Sequence, residues 1–185
     1  MELLAGWWVP YAVMGVLLTL VARAGIVATD IGPWYRGLDK PPWQPPDWLF
    51  GPAWTTIYVC IAIATGRLWN DMPETGHAAF ATLVGANLAL NALWSFLFFK
   101  WRRPAWALVE VVPLWLTCLG LVLFAWPFDA LAAWLYAPYL AWVTFAARLN
   151  LEICRLNPRA HERVGAQGAA GGHAPSVRRD RELGG

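Results

Sequence analysis

Five long apolar stretches follow one another along the chain, at about 7–28, 48–69, 78–99, 104–125 and 130–152. Crossing a bilayer takes about 20 mostly apolar residues of helix, and each stretch is long enough. In hydrocarbon every backbone N–H and C=O must be satisfied within the structure, so such runs become helices. Segments of roughly 10 residues with alternating polarity, the mark of a transmembrane barrel, do not occur. The pattern predicts an all-α membrane protein: a five-transmembrane-helix bundle forming one domain over residues 1–157. After Pro158 the chain becomes polar, basic and rich in Gly and Ala, which predicts a disordered tail over 158–185.

The first connection differs from the other loops. It reads WYRGLDKPPWQPPDWLFGPAW from Trp34 to Trp54. Its two Pro-Pro pairs favour extended polyproline geometry and reduce the entropy lost on ordering. Trp43 and Trp48 give it apolar anchors. A stiff amphipathic segment of this kind reads either as an interfacial anchor or as a lid over the inner mouth of the bundle. The second helix starts at Asp47 or at Gly51-Pro52.

Composition agrees with a bilayer location: 14% of residues are charged, against about 25% in soluble domains. The net charge of +2 conceals an asymmetry. Arg36, Lys40, Lys100, Arg102, Arg103, Arg155 and the arginines of the tail fall on one side. Glu2, Asp71, Glu74 and Asp129 fall on the other, with Arg67 near its edge. The positive-inside rule then expects the N-terminus outside and the C-terminus inside, and helical spans favour the cytoplasmic membrane over an outer one for this multi-pass protein. The first stretch lacks a basic start and a small-residue cleavage site, so it is kept as a helix. Arg23, Glu110 and Arg148 lie late or early in spans, near the cytoplasmic ends. They either snorkel to the headgroups or, for Arg23 and Glu110, form an inward ion pair. Pro113 and Pro138 are expected to kink the fourth and fifth helices.

Several chemistries are disfavoured. Cys60, Cys118 and Cys154 sit singly on different helices, without metal spacing. His77, His161 and His173 all lie outside the spans. No catalytic residue and no metal site are expected, and nothing indicates a nucleic-acid partner. No internal repeat or inverted duplication appears, which weighs against coupled transport.

Fourteen tryptophans are several times an ordinary content, and interfacial belts account for most of them. Trp54, Trp94, Trp115 and Trp142 lie inside spans. Residues at i, i+3, i+4 and i+7 share one helix stripe. Trp54, Tyr58, Ile61 and Thr65 form such a stripe in the second helix. Asn87, Asn91, Trp94 and Phe98 form one in the third, and Tyr139, Trp142, Ala146 and Asn150 one in the fifth. Lipid-facing stripes would be aliphatic, because an unpaired amide in hydrocarbon costs free energy. At 1.5 Å per residue, Trp54, Trp94 and Trp142 fall roughly 8–15 Å below the inner surface. The stripes read either as a ligand pocket beneath the first loop or as helix packing with asparagines bonded across interfaces. Trp115 lacks such neighbours and is assigned to packing.

Trp34-Tyr35, Leu38, Lys40-Pro41, Trp43, Pro45-Pro46, Trp54-Thr55 and Tyr58 resemble the first-loop and second-helix signature of the TspO/MBR family. These are the tryptophan-rich sensory proteins, related to the mitochondrial translocator protein, or peripheral benzodiazepine receptor. Asn87, Asn91, Trp94 and Phe98-Phe99 resemble its third-helix motif. PYLAWVTFAARLN from Pro138 to Asn150, with Arg155, Leu156 and Asn157, resembles its fifth helix. The resemblance covers about residues 6–157 in order and spacing.

This resemblance implies a clockwise five-helix bundle, commonly homodimeric, that binds porphyrins such as protoporphyrin IX and, in some members, haem. Animal members bind cholesterol and benzodiazepine-type drugs. Some bacterial members regulate tetrapyrrole-dependent or stress responses, and some promote light-dependent porphyrin breakdown. The family's ligand contacts fall here on Trp54, Tyr58, Asn87, Asn91, Trp94, Trp142 and Ala146, with Tyr35 and Trp43 from the lid. Tyr139 joins them on the fifth-helix stripe. Arg23, Arg36, Lys40 and Arg148 are candidates to pair with porphyrin propionates. The expectation is a porphyrin-binding sensor or carrier that requires no cofactor, with the porphyrin as ligand and membrane lipid around it. Light-dependent porphyrin degradation, passive transport and a regulatory membrane partner are the alternatives. Without a histidine in the spans, histidine ligation of haem iron in the pocket is not expected. The cholesterol motif needs a tyrosine that Leu149 to Arg155 lacks, so sterol binding is not expected.

Overall fold

The computed structural model describes residues 6–158. Apart from Pro158, the tail read as disordered lies outside the described residues, as do His161 and His173. Helix α1 spans Val9–Ala28 and is followed by a single-turn helix α2, Pro33–Arg36. A 3₁₀ turn at Asp47–Leu49 leads directly into α3, Phe50–Asp71, so the second span begins at Asp47. Helix α4 covers Glu74–Ser95 and ends in a π turn, Phe96–Lys100. Helices α5, Pro104–Ala125, and α6, Ala130–Leu156, complete the chain. No strand occurs among the described residues. Among the described residues, five helices are long and apolar enough to cross a membrane. The protein is an all-α, multi-pass membrane protein built as a five-helix bundle.

Chain order and spatial order differ. Helix α1 packs on α3, α3 on α6, α6 on α5, α5 on α4, and α4 back on α1. The spans therefore close into a ring in which the last helix sits between the second and the fourth. Val13, Val16, Leu20, Val59, Val109, Val112, Leu116 and Leu123 are exposed on the outside. These branched aliphatic groups would be an error in water and are ordinary facing lipid tails. Exposed tryptophans gather at both ends: Trp7, Trp8, Trp126 and Trp134 at one, Trp48, Trp101 and Trp106 at the other.

Lipid tails are as apolar as the core, so helices associate through close packing and polar contacts. Gly66 supplies the first: a Cβ there would overlap the Tyr11 ring, so glycine lets α1 lie directly on α3. Polar pairs supply the second. Thr65 and Tyr136 share a 2.7 Å hydroxyl contact between α3 and α6. Trp115 Nε1 donates to Thr144 Oγ1 at 2.7 Å, tying α5 to α6, in keeping with its assignment to packing. The hydrogen-bonding pattern orients the buried Asn150 amide so that its Nδ2 donates to the Pro104 carbonyl (3.1 Å). Its Oδ1 then accepts from the Leu108 amide (3.0 Å).

Helix ends follow local chemistry. Asp129 caps α6, accepting from the Leu131 and Ala132 amides at 2.9 and 3.2 Å, while its other oxygen takes Arg67 Nε at 2.7 Å. Proline opens α1 and α5, where its missing N–H costs nothing. Pro113 and Pro138 sit inside α5 and α6, and both helices run on through them. Arg102 takes a positive φ of 55° to reverse the chain between the π turn and α5.

Candidate functional site

The first loop folds back over the end of the bundle that carries the C-terminus of α6. Tyr35 is buried, its ring 5.6 Å from Phe99; Trp34 sits 6.2 Å from Phe98 and Trp43 6.0 Å from Phe145. Three aromatic anchors therefore hold the loop to the π turn and to α6. Within the loop, Gln44 Nε2 donates to the Tyr35 hydroxyl at 3.2 Å, and that hydroxyl faces Asp47 Oδ1 at 3.4 Å. Lys40 Nζ lies 4.1 Å from the centre of the Tyr35 ring. Burial first, and the negative charge of Asp47 second, push the Tyr35 phenol up to about 12. It remains a protonated donor at physiological pH. Asn157, just beyond α6, clasps the loop backbone from below. Its Oδ1 accepts from the Asp39 amide at 3.0 Å and its Nδ2 donates to the Asp39 carbonyl at 2.8 Å.

Beneath this loop lies a cavity of about 530 Å³. Four spans and the loop build it. Helix α3 contributes Phe50, Trp54 and Tyr58; α4 contributes Asn91 and Trp94, and its π turn Phe99; α6 contributes Trp142 and Ala146. Helix α1 adds Ala22, Gly25, Ile26 and Thr29, and the loop adds Ile31, Tyr35 and Asp47. Trp54 is the central wall, with ring centres 5.3 Å from Tyr58 and 6.2 Å from Trp142. Trp94 stacks on Phe98 at 5.2 Å, which fixes its plane. A polar line crosses the floor: the Tyr58 hydroxyl donates to Asn91 Oδ1 (3.3 Å), and Asn91 Nδ2 donates to the Tyr139 hydroxyl (3.1 Å). Ile26, Gly51 and Thr55 both line the cavity and are exposed on the outside, which puts its mouth between α1 and α3.

Of the residues singled out from the sequence, Tyr35, Trp54, Tyr58, Asn91, Trp94, Trp142 and Ala146 meet on this cavity. Tyr139 stands behind it, fully buried, as the partner of Asn91. Asn87 lies one turn deeper and faces α5, donating to Thr117 Oγ1 (3.0 Å) and to Cys118 Sγ (3.3 Å). Trp43 covers Phe145 from outside. Arg23, Arg36 and Arg148 are exposed, and Lys40 rests on Tyr35; none of the four belongs to the lining. The inward pair of Arg23 with Glu110 does not form. Arg23 is exposed, while Glu110 is buried with both carboxyl oxygens unpartnered. Reasoning from the stripes missed Phe50, Asp47 and the whole α1 wall.

A second unpartnered group sits at the same level. Trp94 follows Asn87 by seven residues on α4, and Glu110 precedes Thr117 by seven on the antiparallel α5. The Asn87–Thr117 bond therefore sets Trp94 and Glu110 opposite each other. Trp94 Nε1 is sealed from solvent without an acceptor, as Glu110 is without a donor. Trp94 thus lines the cavity while its Nε1 stays buried and without a partner.

The lining has no acid–base pair. Asp47 is its one charged side chain, and no group of three or more His, Cys, Asp or Glu occurs among the described residues. The arrangement is suited to holding a flat apolar molecule against indole and phenol rings, with Tyr58 and Asn91 as polar contacts.

Comparison with known proteins agrees with this architecture. The TspO/MBR family profile matches residues 11–156. Protein CrtK of Rhodobacter capsulatus is 35% identical over 153 residues, 80% of this chain and 92% of that protein. The tryptophan-rich protein TspO of Archaeoglobus fulgidus is 36% identical over 151 residues, covering 79% and 94%. The translocator protein of Sus scrofa is 37% identical over 145 residues, covering 77% and 80%. With its five spans, its aromatic loop and a match over most of its length, the chain belongs to the TspO/MBR family.

Proposed function

We propose that this protein is a membrane receptor or carrier for a flat aromatic ligand of the porphyrin class, bound in the cavity under the first loop. The observation that carries this reading is the convergence of Trp54, Trp94 and Trp142, from three spans, on one space of about 530 Å³. Small-molecule sites commonly measure about 300–1,000 Å³. Offset and edge-on indole contacts favour a planar π system over a branched aliphatic one. No histidine lines the cavity among the described residues, so metal-free porphyrin is expected to bind at least as well as haem. The basic residues near the loop, Arg36, Lys40, Lys100, Arg102 and Arg103, favour the cytoplasmic side for this end.

The test is a tryptophan-fluorescence titration of the purified protein with protoporphyrin IX and with haem. Replacing Trp54 and Trp142 together by Phe is expected to weaken binding at least tenfold. Unchanged affinity in the double variant removes the assignment. The same complex separates the photochemical alternative. Three indoles beside the ligand offer an electron donor to an excited porphyrin. Faster loss of porphyrin absorbance under light than in detergent alone would support degradation, and an equal rate would exclude it.

A further inference from the structure

The charges around the cavity do not match a ligand that enters with its carboxylates first. We infer that Asp47 is a specificity-determining residue at the cavity rim, selecting flat aromatic ligands with neutral or cationic head groups over anionic ones. The inference rests on the cavity being a ligand site and adds the chemical class of head group that it accepts.

Among the described residues, Asp47 is the lone charged side chain of the lining. It is exposed on its outer side, which places its carboxylate at the rim and not in the floor. Its position is set by the 3₁₀ turn that opens the second span. Gln44 Nε2 and the Tyr35 hydroxyl approach one oxygen, Oδ1, at 3.4 Å each. These are long contacts from neutral donors, and neither engages Oδ2. No ion pair neutralises Asp47 among the described residues. Lys40, the nearest loop cation in sequence, is engaged over the Tyr35 ring at 4.1 Å. Arg23, Arg36 and Arg148 are exposed and outside the lining. A carboxylate on a bound ligand would therefore find a like charge at the rim and no cation within the walls. An amine, an ester or an unsubstituted ring edge would not.

The size of the effect follows from Coulomb's law. At about 7 Å and an effective dielectric of about 40, intermediate between water and a protein surface, one like-charge pair costs about sevenfold in affinity. An opposite pair gains the same factor.

The experiment titrates the full-length protein, in discs of zwitterionic lipid, with three probes. They are protoporphyrin IX, its uncharged dimethyl ester, and the flat cationic dye acridine orange. The ester is expected to bind about three to ten times more tightly than the free acid. In Asp47→Asn the two porphyrins should converge, the dye should weaken by a similar factor, and the ester should stay within about twofold of its original affinity. An ester-to-acid ratio unmoved by Asp47→Asn overturns the inference while leaving the cavity assignment standing. Failure of all three probes to bind overturns the cavity assignment and this inference with it. Salt supplies a measurement without any variant. Raising ionic strength should strengthen free-acid binding, weaken dye binding and leave the ester unchanged. Free-acid binding that weakens with salt would show a dominant cation at the rim and refute the role of Asp47.

Discussion

Asn157 is the residue whose removal most directly separates the loop from the bundle. It joins residues 118 apart in sequence through two hydrogen bonds to one backbone unit, 3.0 Å from the Asp39 amide and 2.8 Å to the Asp39 carbonyl. Its Nδ2 also reaches the Ile153 carbonyl at 2.8 Å, which holds the amide plane in place. Both loop contacts are solvent-accessible, so water competes for them. Each is then worth about 0.5–1 kcal/mol, the lower part of the range for neutral hydrogen bonds. Replacing Asn157 by Ala should therefore destabilise the closed loop by about 1–2 kcal/mol, a factor of about 5–30 in its opening equilibrium. Hydrogen exchange at the Asp39 amide reads this directly, since local opening governs protection. The Asp39 amide should exchange about 5–30 times faster in Asn157→Ala, and the ligand should leave faster by a comparable factor. Asn157→Asp turns the donor into an acceptor facing the Asp39 and Ile153 carbonyls, so it should open the loop at least as much as Asn157→Ala. A rise in exchange of less than about twofold would refute the reasoning. The aromatic anchors at Phe98, Phe99 and Phe145 would then be holding the loop alone.

Three further changes test the bundle itself. Gly66→Ala should overpack the α1–α3 contact against Tyr11 and cost about 1–3 kcal/mol, seen as a lower thermal midpoint. Adding Tyr11→Ala should recover part of that loss, and an unchanged midpoint in the single variant would mean that α1 can shift freely. Burial raises the Asp129 carboxyl, but the Arg67 hydrogen bond and the Ala132 and Leu131 amides outweigh this and hold it below its ordinary value. A depressed folded pKa means stability that is present above the unfolded value and lost as pH falls through the folded one. Acid titration of the thermal midpoint should show this loss in the wild type and not in Asp129→Asn, while Asp129→Ala should lose about 1 kcal/mol more with the helix cap. Glu110→Met replaces a buried carboxyl without partners and should raise the midpoint, by about 1–3 kcal/mol of stability. A lower midpoint would show that Glu110 has a partner after all.

The five spans were legible because a bilayer imposes a length and a polarity that few other structures share. Packing order was not: nothing in the sequence states that the last span lies between the second and the fourth. That order decides what each stripe touches. The α4 stripe was read as one face, but a stripe spans a wide arc and meets different neighbours at different depths. At Asn91 and Trp94 it borders the cavity; one turn deeper, at Asn87, it meets Thr117 and Cys118 of α5. The α6 stripe divides in the same way, with Trp142 and Ala146 on the cavity and Asn150 clasping α5. The wall from α1 was invisible for the opposite reason. Ala22, Gly25 and Ile26 are small or aliphatic and carry no mark that separates a cavity wall from a lipid-facing surface.

Electrostatics shows the same limit more sharply. Counting charges by side points to a basic, anion-attracting mouth, yet Arg23, Arg36, Lys40 and Arg148 all fall outside the cavity lining. Long flexible cations keep their heads in water or at headgroups while their stems lie along apolar surface. The exposed positions of Arg23, Arg36 and Arg148 are what that preference produces. Asp47 has a single methylene and cannot reach away. The turn that starts the second span fixes its backbone, and Tyr35 and Gln44 hold its carboxylate at the rim. The charge that a ligand meets is therefore set by the shortest ionisable side chain at the mouth and not by the most numerous ones around it.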